Sequence, residues 1–153
     1  MPKGERINTF SRYEVARGRE NLSLLFARGY RHKGNALMLI TASVASQVAG
    51  RGASVRVLVT VGKKLVPKAV ERNRIKRLMR EAYRLEKSAL ADLKAGMATA
   101  REAEVIFLAF MYRGRRGEVP SLQEFRVEMN RMLQAFVKRR MRTTMNDDHE
   151  HGG

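Results

Sequence analysis

Between Lys63 and Arg84 the chain sets Lys63, Lys64, Lys68, Arg72, Asn73, Arg74, Lys76, Arg77, Arg80 and Arg84 against only two acids, Glu71 and Glu81. These residue types suit phosphate. A guanidinium fork holds two phosphate oxygens at once, an ammonium acts as a point charge, and the amide of Asn73 offers both donor and acceptor to a sugar or base edge. At roughly 100° per residue, Ile75, Leu78, Met79, Ala82 and Leu85 form one apolar stripe, while Arg72, Asn73, Lys76, Arg77, Arg80 and Arg84 gather on another face. A disordered basic tail has no use for such a stripe. The pattern predicts a helix docked on a core, holding its charges as a fixed array; the alternative, a merely solvated helix face, is disfavoured by the shortage of compensating acids.

Other constellations carry less chemistry. The absence of cysteine removes disulfides, thiol nucleophiles and cysteine metal sites together. His149 and His151 stand with Asp147, Asp148 and Glu150 in a short polar tail that has no folded surroundings to orient ligands, so solvation is favoured over metal binding. His32, between Arg31 and Lys33, reads as part of a polar loop, either a phosphate contact or without a role. No carboxylate pair or Ser/His/Asp arrangement has the context for acid/base or nucleophilic work, so no residue is singled out here as catalytic or metal-binding. Phe107, Phe110, Phe125 and Phe136 read as core.

The whole chain repeats the charge imbalance of the stretch. Its 153 residues carry 31 Lys and Arg against 15 Asp and Glu, formally +16, and 44% are hydrophobic. A chain of this length supports one domain with a real core. An excess of positive charge this large implies a polyanion or a membrane surface as partner. No apolar run approaches the roughly 20 residues of a spanning helix, and the amino terminus lacks the apolar segment of a signal peptide. The expectation is a soluble cytoplasmic protein whose partner is nucleic acid, with no membrane.

The elements that must position the basic stretch follow from pattern. Residues 1–18 read as a flexible basic arm, 19–142 as a single α+β domain and 143–153 as a disordered acidic and histidine tail. Leu22, Leu25 and Phe26 have helical spacing, and Gly29 stands where that helix would end. Ala36 to Ala42 reads as a buried strand, and Ser54 to Val61, rich in β-branched residues, as a strand antiparallel to it. Pro67 stops that strand from running on, and the basic helix spans Ala69 to at least Leu85, with a reach to Leu93. Glu104 to Met111, the most apolar run, has the length of a central strand. Lys94 to Ala103 reads as a connection and Arg113 to Gly117 as a cationic loop. Ser121 and Glu124 have capping-box spacing ahead of a last amphipathic helix carrying Leu122, Phe125, Met129, Met132, Leu133 and Phe136. The order α-β-β-α-β-α gives a small sheet sandwiched by helices. If the strands flanking the basic helix are parallel neighbours, the general rule favours a right-handed crossover.

The basic stretch resembles the protein subunit of bacterial ribonuclease P. The resemblance rests on a strand running into Lys63-Lys64 and then on Ala69-Val70, Arg72-Asn73-Arg74-Ile75-Lys76-Arg77-Leu78 and Arg80-Glu81-Ala82-Tyr83-Arg84, the family's arginine-asparagine-arginine signature in its usual setting. Flanking elements fall in family order over about Arg19 to Arg140. The resemblance implies binding to a large catalytic RNA, in a complex that removes the 5′ leader of precursor tRNA. It further implies that RNA, not protein, holds the catalytic Mg2+, and that one protein copy serves each complex. It also implies a left-handed βαβ crossover around the signature helix, and this expectation is preferred over the general rule.

By the same resemblance Arg72, Asn73, Lys76, Arg77, Arg80 and Arg84 contact the catalytic RNA, with Arg74 and Lys68 at the margins and Lys63 and Lys64 between that surface and the tRNA. Many members place aromatic residues on the first helix and first strand, where leader bases stack. Here those positions are Leu22, Phe26 and Ile40, so only one aromatic remains. Leader contact then rests more on shape and charge, or on Tyr13 and Tyr30 as substitutes, and Leu22 and Phe26 equally fit a plain core stripe. A structural RNA-binding protein, such as a ribosomal protein, is the alternative reading. Composition does not separate the two; the signature stretch favours the first.

Overall fold

The computed structural model describes residues 27–45, 54–93, 104–114 and 118–151. Runs of apolar and β-branched residues form the strands β1 (Tyr30–Lys33), β2 (Leu37–Ala45), β3 (Ser54–Val61) and β4 (Glu104–Tyr112), and the amphipathic stretches form α1 (Ala69–Glu86) and α2 (Leu122–His151). The strands make one mixed sheet in the order β1-β2-β4-β3. β4 lies at its centre, antiparallel to β2 from Leu37 opposite Tyr112 to Ala45 opposite Glu104, and parallel to β3 from Ser54 beside Val105 to Val61 beside Tyr112. A strand inside a sheet with both faces covered has no reason to alternate, which is why Glu104 to Tyr112 reads as one apolar run.

Two apolar clusters grow from the two faces. Ile106, Leu108, Phe110 and Tyr112 of β4 join Leu37 and Leu39, the valines of β3, Ile75, Met79, Ala82 and Tyr83 of α1, and Phe125, Met129, Leu133 and Phe136 of α2 in one core. Met38, Ile40, Phe107 and Ala109 form the second cluster on the opposite face. Full burial of a large apolar side chain stabilises by about 1.5–3 kcal/mol. Tyr83, Ile75 and Met79, each no more than 1% exposed, therefore fix α1 firmly on the sheet. The stripe read from the sequence is shifted by this: Tyr83 is fully buried, whereas Leu78 and Leu85 are half-buried.

Four features differ from the sequence reading. β1 is an additional strand, antiparallel to β2 with Tyr30 opposite Thr41 and His32 opposite Leu39. His32 accordingly stands on a strand, not in a loop. β3 runs opposite to β2 but does not pair with it, because β4 is inserted between them. β3 and β4, parallel and joined through α1, form the βαβ unit to which the crossover expectation applies. Finally, α2 continues to His151, through most of the stretch expected to be unstructured. No Gly or Pro interrupts it between Ser121 and Gly152, and extending an existing helix avoids the cost of nucleating one. The arm, the first predicted helix up to Phe26 and the Lys94 to Ala103 connection lie outside the described residues.

α2 also locks the sheet edge. The Ser121 hydroxyl accepts from the Glu124 amide at 3.2 Å, forming one half of the expected capping box. One turn on, the Glu128 carboxylate accepts from the amides of Ala36 at 3.0 Å and Leu37 at 2.9 Å. The Gly34 amide donates to the Leu37 carbonyl at 2.8 Å in the same turn. A Cβ at position 34 would come within 2.9 Å of the Leu37 carbonyl oxygen and displace the ends of Glu128 and Met132, so the turn favours glycine here.

Candidate nucleic-acid interface

α1 begins after a turn that presents lysines. The Val66 amide donates to the Gly62 carbonyl at 3.0 Å, which buries Val66 and leaves Lys63 and Lys64 exposed at the tip. Lys68 occupies the N-cap with extended backbone and provides no side-chain cap. A lysine has no acceptor to offer the first-turn amides, so these amides, the positive end of the helix dipole and Lys63, Lys64 and Lys68 together favour an anion here. Beyond this turn, burial of Ile75, Met79, Ala82 and Tyr83 turns the opposite side outward. Asn73, Arg74, Arg77 and Arg80 are exposed, and Arg72, Lys76 and Arg84 are half-exposed. All ten predicted contact residues thus lie at the surface, brought together by α1 and the turn that precedes it.

Two of the ten are partly engaged within the protein. Arg72 Nη1 donates to the carbonyls of Val66 at 3.0 Å and Pro67 at 2.7 Å, tying the lysine turn to the first turn of α1. Arg84 pairs with Glu81, donating through Nε at 3.0 Å and Nη2 at 2.5 Å. The hydrogen bond from Arg84 holds the Glu81 carboxyl below its usual range, and the same bond raises Arg84. Glu81 is therefore anionic wherever RNA is bound and offsets one cation on this face. Val70 is the residue that composition hid: it is 81% exposed, one helical turn from Asn73 and Arg74, an apolar spot inside the cationic field.

Comparison with known proteins places this geometry. A sequence model of the family described as Ribonuclease P matches residues 10–109. The chain is 47% identical over 148 residues to the ribonuclease P protein component of Chlorobaculum tepidum, covering 97% of this chain and 96% of that protein. It is 38% identical over 130 residues to the corresponding component of Chlorobium phaeobacteroides, covering 85% and 89%. The chain belongs to the ribonuclease P protein family. The solved ribonuclease P protein from Thermotoga maritima has the same fold, with a TM-score of 0.54 at 21% identity over 80% of this chain and 96% of that one.

Within this ribonuclease P family member the expected leader groove is only partly described. Leu22 and Phe26 lie outside the described residues. Ile40 is 0% exposed, packed with Met38, Phe107 and Ala109. It is part of the apolar cluster on that sheet face and offers no surface to a ligand, a correction to its reading as a contact. Of the Arg113 to Gly117 loop, Arg113 and Gly114 are described; the Arg113 amide donates to the Ala36 carbonyl at 2.6 Å, so the start of this loop is tied to the sheet. Sequence reasoning missed Glu128 and the Glu86–Arg126–Asn130 group, in which Arg126 Nε donates to Glu86 at 2.8 Å and Asn130 Nδ2 at 2.9 Å. These pairings join positions about forty residues apart, and no local spacing announces them. No helix among the described residues is long and apolar enough to cross a membrane.

Proposed function

We propose that α1 and the Lys63–Lys64 turn anchor the catalytic RNA of ribonuclease P, and that the assembled complex hydrolyses one phosphodiester bond of precursor tRNA to release its 5′ leader. The observation that carries this reading is the cationic array itself: Asn73, Arg77 and Arg80 stand exposed on a helix whose other side is fixed by fully buried Ile75, Met79 and Tyr83. A rigid array loses little freedom when it meets a folded RNA, and its spacing can select one phosphate arrangement. Arg77 and Arg80 take backbone phosphates, Asn73 reads a sugar or base edge, and Lys63, Lys64 and Lys68 extend the field toward the tRNA.

Guanidinium and ammonium groups have no lone pair for a divalent cation. The cations of this array would not hold Mg2+; in the complex its ligands would come from RNA phosphates, and the protein's contribution is to position RNA and screen its charge. Leu22 and Phe26 remain the leader-groove candidates. One copy of the protein serves each complex, and it works in the cytoplasm.

Reconstitution tests the proposal. The full-length protein alone is expected to leave precursor tRNA intact. With a bacterial ribonuclease P RNA it should restore 5′ cleavage at low Mg2+, where RNA alone is slow. Equal cleavage with and without protein across Mg2+ concentrations would overturn the reading. RNA binding without any effect on cleavage would favour a purely structural RNA-binding role.

A further inference from the structure

A second cationic surface lies on the flank of α2 that faces β1. The Arg139 guanidinium covers the Tyr30 ring at 3.0 Å from its centroid, and His32 meets the same ring edge-on at 4.6 Å. Tyr30 still leaves 46% of its surface exposed. Along α2, Arg131, Lys138, Arg139 and Arg142 recur at a spacing that keeps them on one stripe, and all four are exposed. Arg131, Lys138 and Arg142 make no ion pair or hydrogen bond among the described residues. Near the other end of β1, Lys33 and Arg131 border an open cleft of about 500 Å³ between the β1–β2 turn and α2. The acids lining that cleft are Glu124 and Glu128, toward the amino-terminal half of α2, and Glu128 is held by the hairpin amides.

This surface is separate from that of α1. Arg126 and Asn130, which reach α1 through Glu86, lie roughly 140–180° around α2 from Arg139 at 3.6 residues per turn. One straight RNA segment following α1 does not reach both. An exposed ring stacked with a guanidinium plane and bordered by cations has the chemistry of an unpaired nucleotide site: bases stack on rings or guanidinium planes, and phosphates lie on the neighbouring charges. A duplex would offer no base face to that stack.

We infer that Tyr30 and Arg139, with Arg131, Lys138 and Arg142, form a second RNA site that takes an unpaired segment, one base stacking on the Tyr30–Arg139 pair and the backbone following the α2 stripe. The inference rests on the reading of the protein as an RNA binder, but not on α1 as the contact. Tyr30 stands opposite Thr41, one residue out of step with Ile40 and so on the other sheet face from the expected leader groove, which assigns the segment to the catalytic RNA.

The test uses the full-length protein with two sets of variants. Arg131→Ala/Lys138→Ala/Arg142→Ala removes the phosphate stripe and leaves the Tyr30–Arg139 contact in place; Tyr30→Ala removes the stacking ring, and Tyr30→Phe keeps it. Each is titrated against ribonuclease P RNA alone and, as assembled complex, against precursor tRNA with a long or a short leader. The triple variant should flatten the slope of log affinity against log salt by up to about 2–2.7, at 0.7–0.9 per lost phosphate contact. Tyr30→Ala should weaken binding about 5- to 100-fold, with Tyr30→Phe close to the parent. Losses with ribonuclease P RNA alone support the site; losses confined to the long-leader precursor would make these residues part of the leader contact and overturn a separate site. Unchanged affinity and slope in every arm overturn it, whatever an Arg77→Ala/Arg80→Ala variant does in the same assay. That α1 variant reports separately on the α1 anchor.

Discussion

α1 and α2 are both amphipathic, both rich in arginine and both packed on one core, yet they use their polar groups differently. In the first half of α2 the polar side chains hold the protein together: Ser121 caps, Glu128 receives the amides of Ala36 and Leu37, and Arg126 and Asn130 hold Glu86. Arg140 continues this with an ion pair to Glu104 on β4. On α1, Asn73, Arg74, Lys76, Arg77 and Arg80 make no such contact among the described residues. Charge alone does not mark a binding surface. What separates the two helices is whether the partner of each charge already lies within the fold.

The largest effect expected from this contrast is at Glu128. Replacing it by Ala strips the acceptor from two amides at the β1–β2 turn, and orphaned donors cost about 1–3 kcal/mol each when shielded from water. Because Glu128 is half-buried, a loss of about 2–3 kcal/mol is expected as a lower denaturant midpoint, with RNA affinity of the folded fraction unchanged. Gly34→Ala should act in the same direction, since its Cβ meets the same carboxylate. The converse change is Arg77→Ala/Arg80→Ala. Each lost phosphate contact weakens binding about four- to sixfold near 0.15 M salt, so the pair should lose about 20-fold in affinity and about 1.4–1.8 in salt slope, with the denaturant midpoint unmoved. A fall in stability comparable to that of Glu128→Ala would place these arginines in the scaffold and erase the contrast.

Arg72 stands between the two classes and gives a smaller, mixed effect. It holds the carbonyls of Val66 and Pro67 with Nη1, while its other guanidinium nitrogens make no hydrogen bond among the described residues. Arg72→Ala should cost about 1 kcal/mol of stability and about fivefold in RNA affinity. Arg72→Lys keeps a charge and several donors on one nitrogen, so it should recover part of both the affinity and the carbonyl contact. If Arg72→Ala altered only affinity, the lysine turn would owe its shape to the Val66–Gly62 bond alone.

Local pattern revealed α1 and β3 almost residue for residue, because Ile75 and Met79 stand one helical turn apart and the valines of β3 alternate. β4 was also legible, since Phe107, Leu108 and Phe110 leave no alternative to a covered strand. β1 was not, for a physical reason. Tyr30-Arg-His-Lys33 is a short edge strand held by backbone pairing to β2, so its side chains carry little apolar periodicity. The Gly34-Asn35 pair was the available signal for the hairpin. The site divides in the same way. The outward face of α1 could be read from the sequence, whereas the internal bonds of Arg72 and the burial of Ile40 depend on which element lies opposite, and that is set by the sheet order.

The smallest expected effect concerns His32, on the flank where α2 meets β1. Burial lowers its pKa first, and the Arg139 charge lowers it further. The charged groups around it are Arg139 and Arg131 on α2, Lys33 on β1 and the carboxylates of Glu124 and Glu128. Its ordinary value is about 6.5. Between the lowered folded value and 6.5 the unfolded chain binds a proton that the folded chain refuses, so stability is fully present above about 6.5 and declines as pH falls through that window. Glu81, held below the carboxylate range by Arg84, begins to lose its contribution only as pH falls to the ordinary carboxylate range, so its decline starts at lower pH than that of His32. Thermal melts from pH 7.5 to 5 should therefore show a falling midpoint, and His32→Gln, which cannot take the proton, should flatten that fall. An equal fall in His32→Gln would assign the acid sensitivity to carboxylates. A flattened profile, together with tighter packing of Arg139 over Tyr30 at high pH, would mean that the β1 flank keeps its stack by excluding one more positive charge, as α1, with its charges turned to solvent, never has to do.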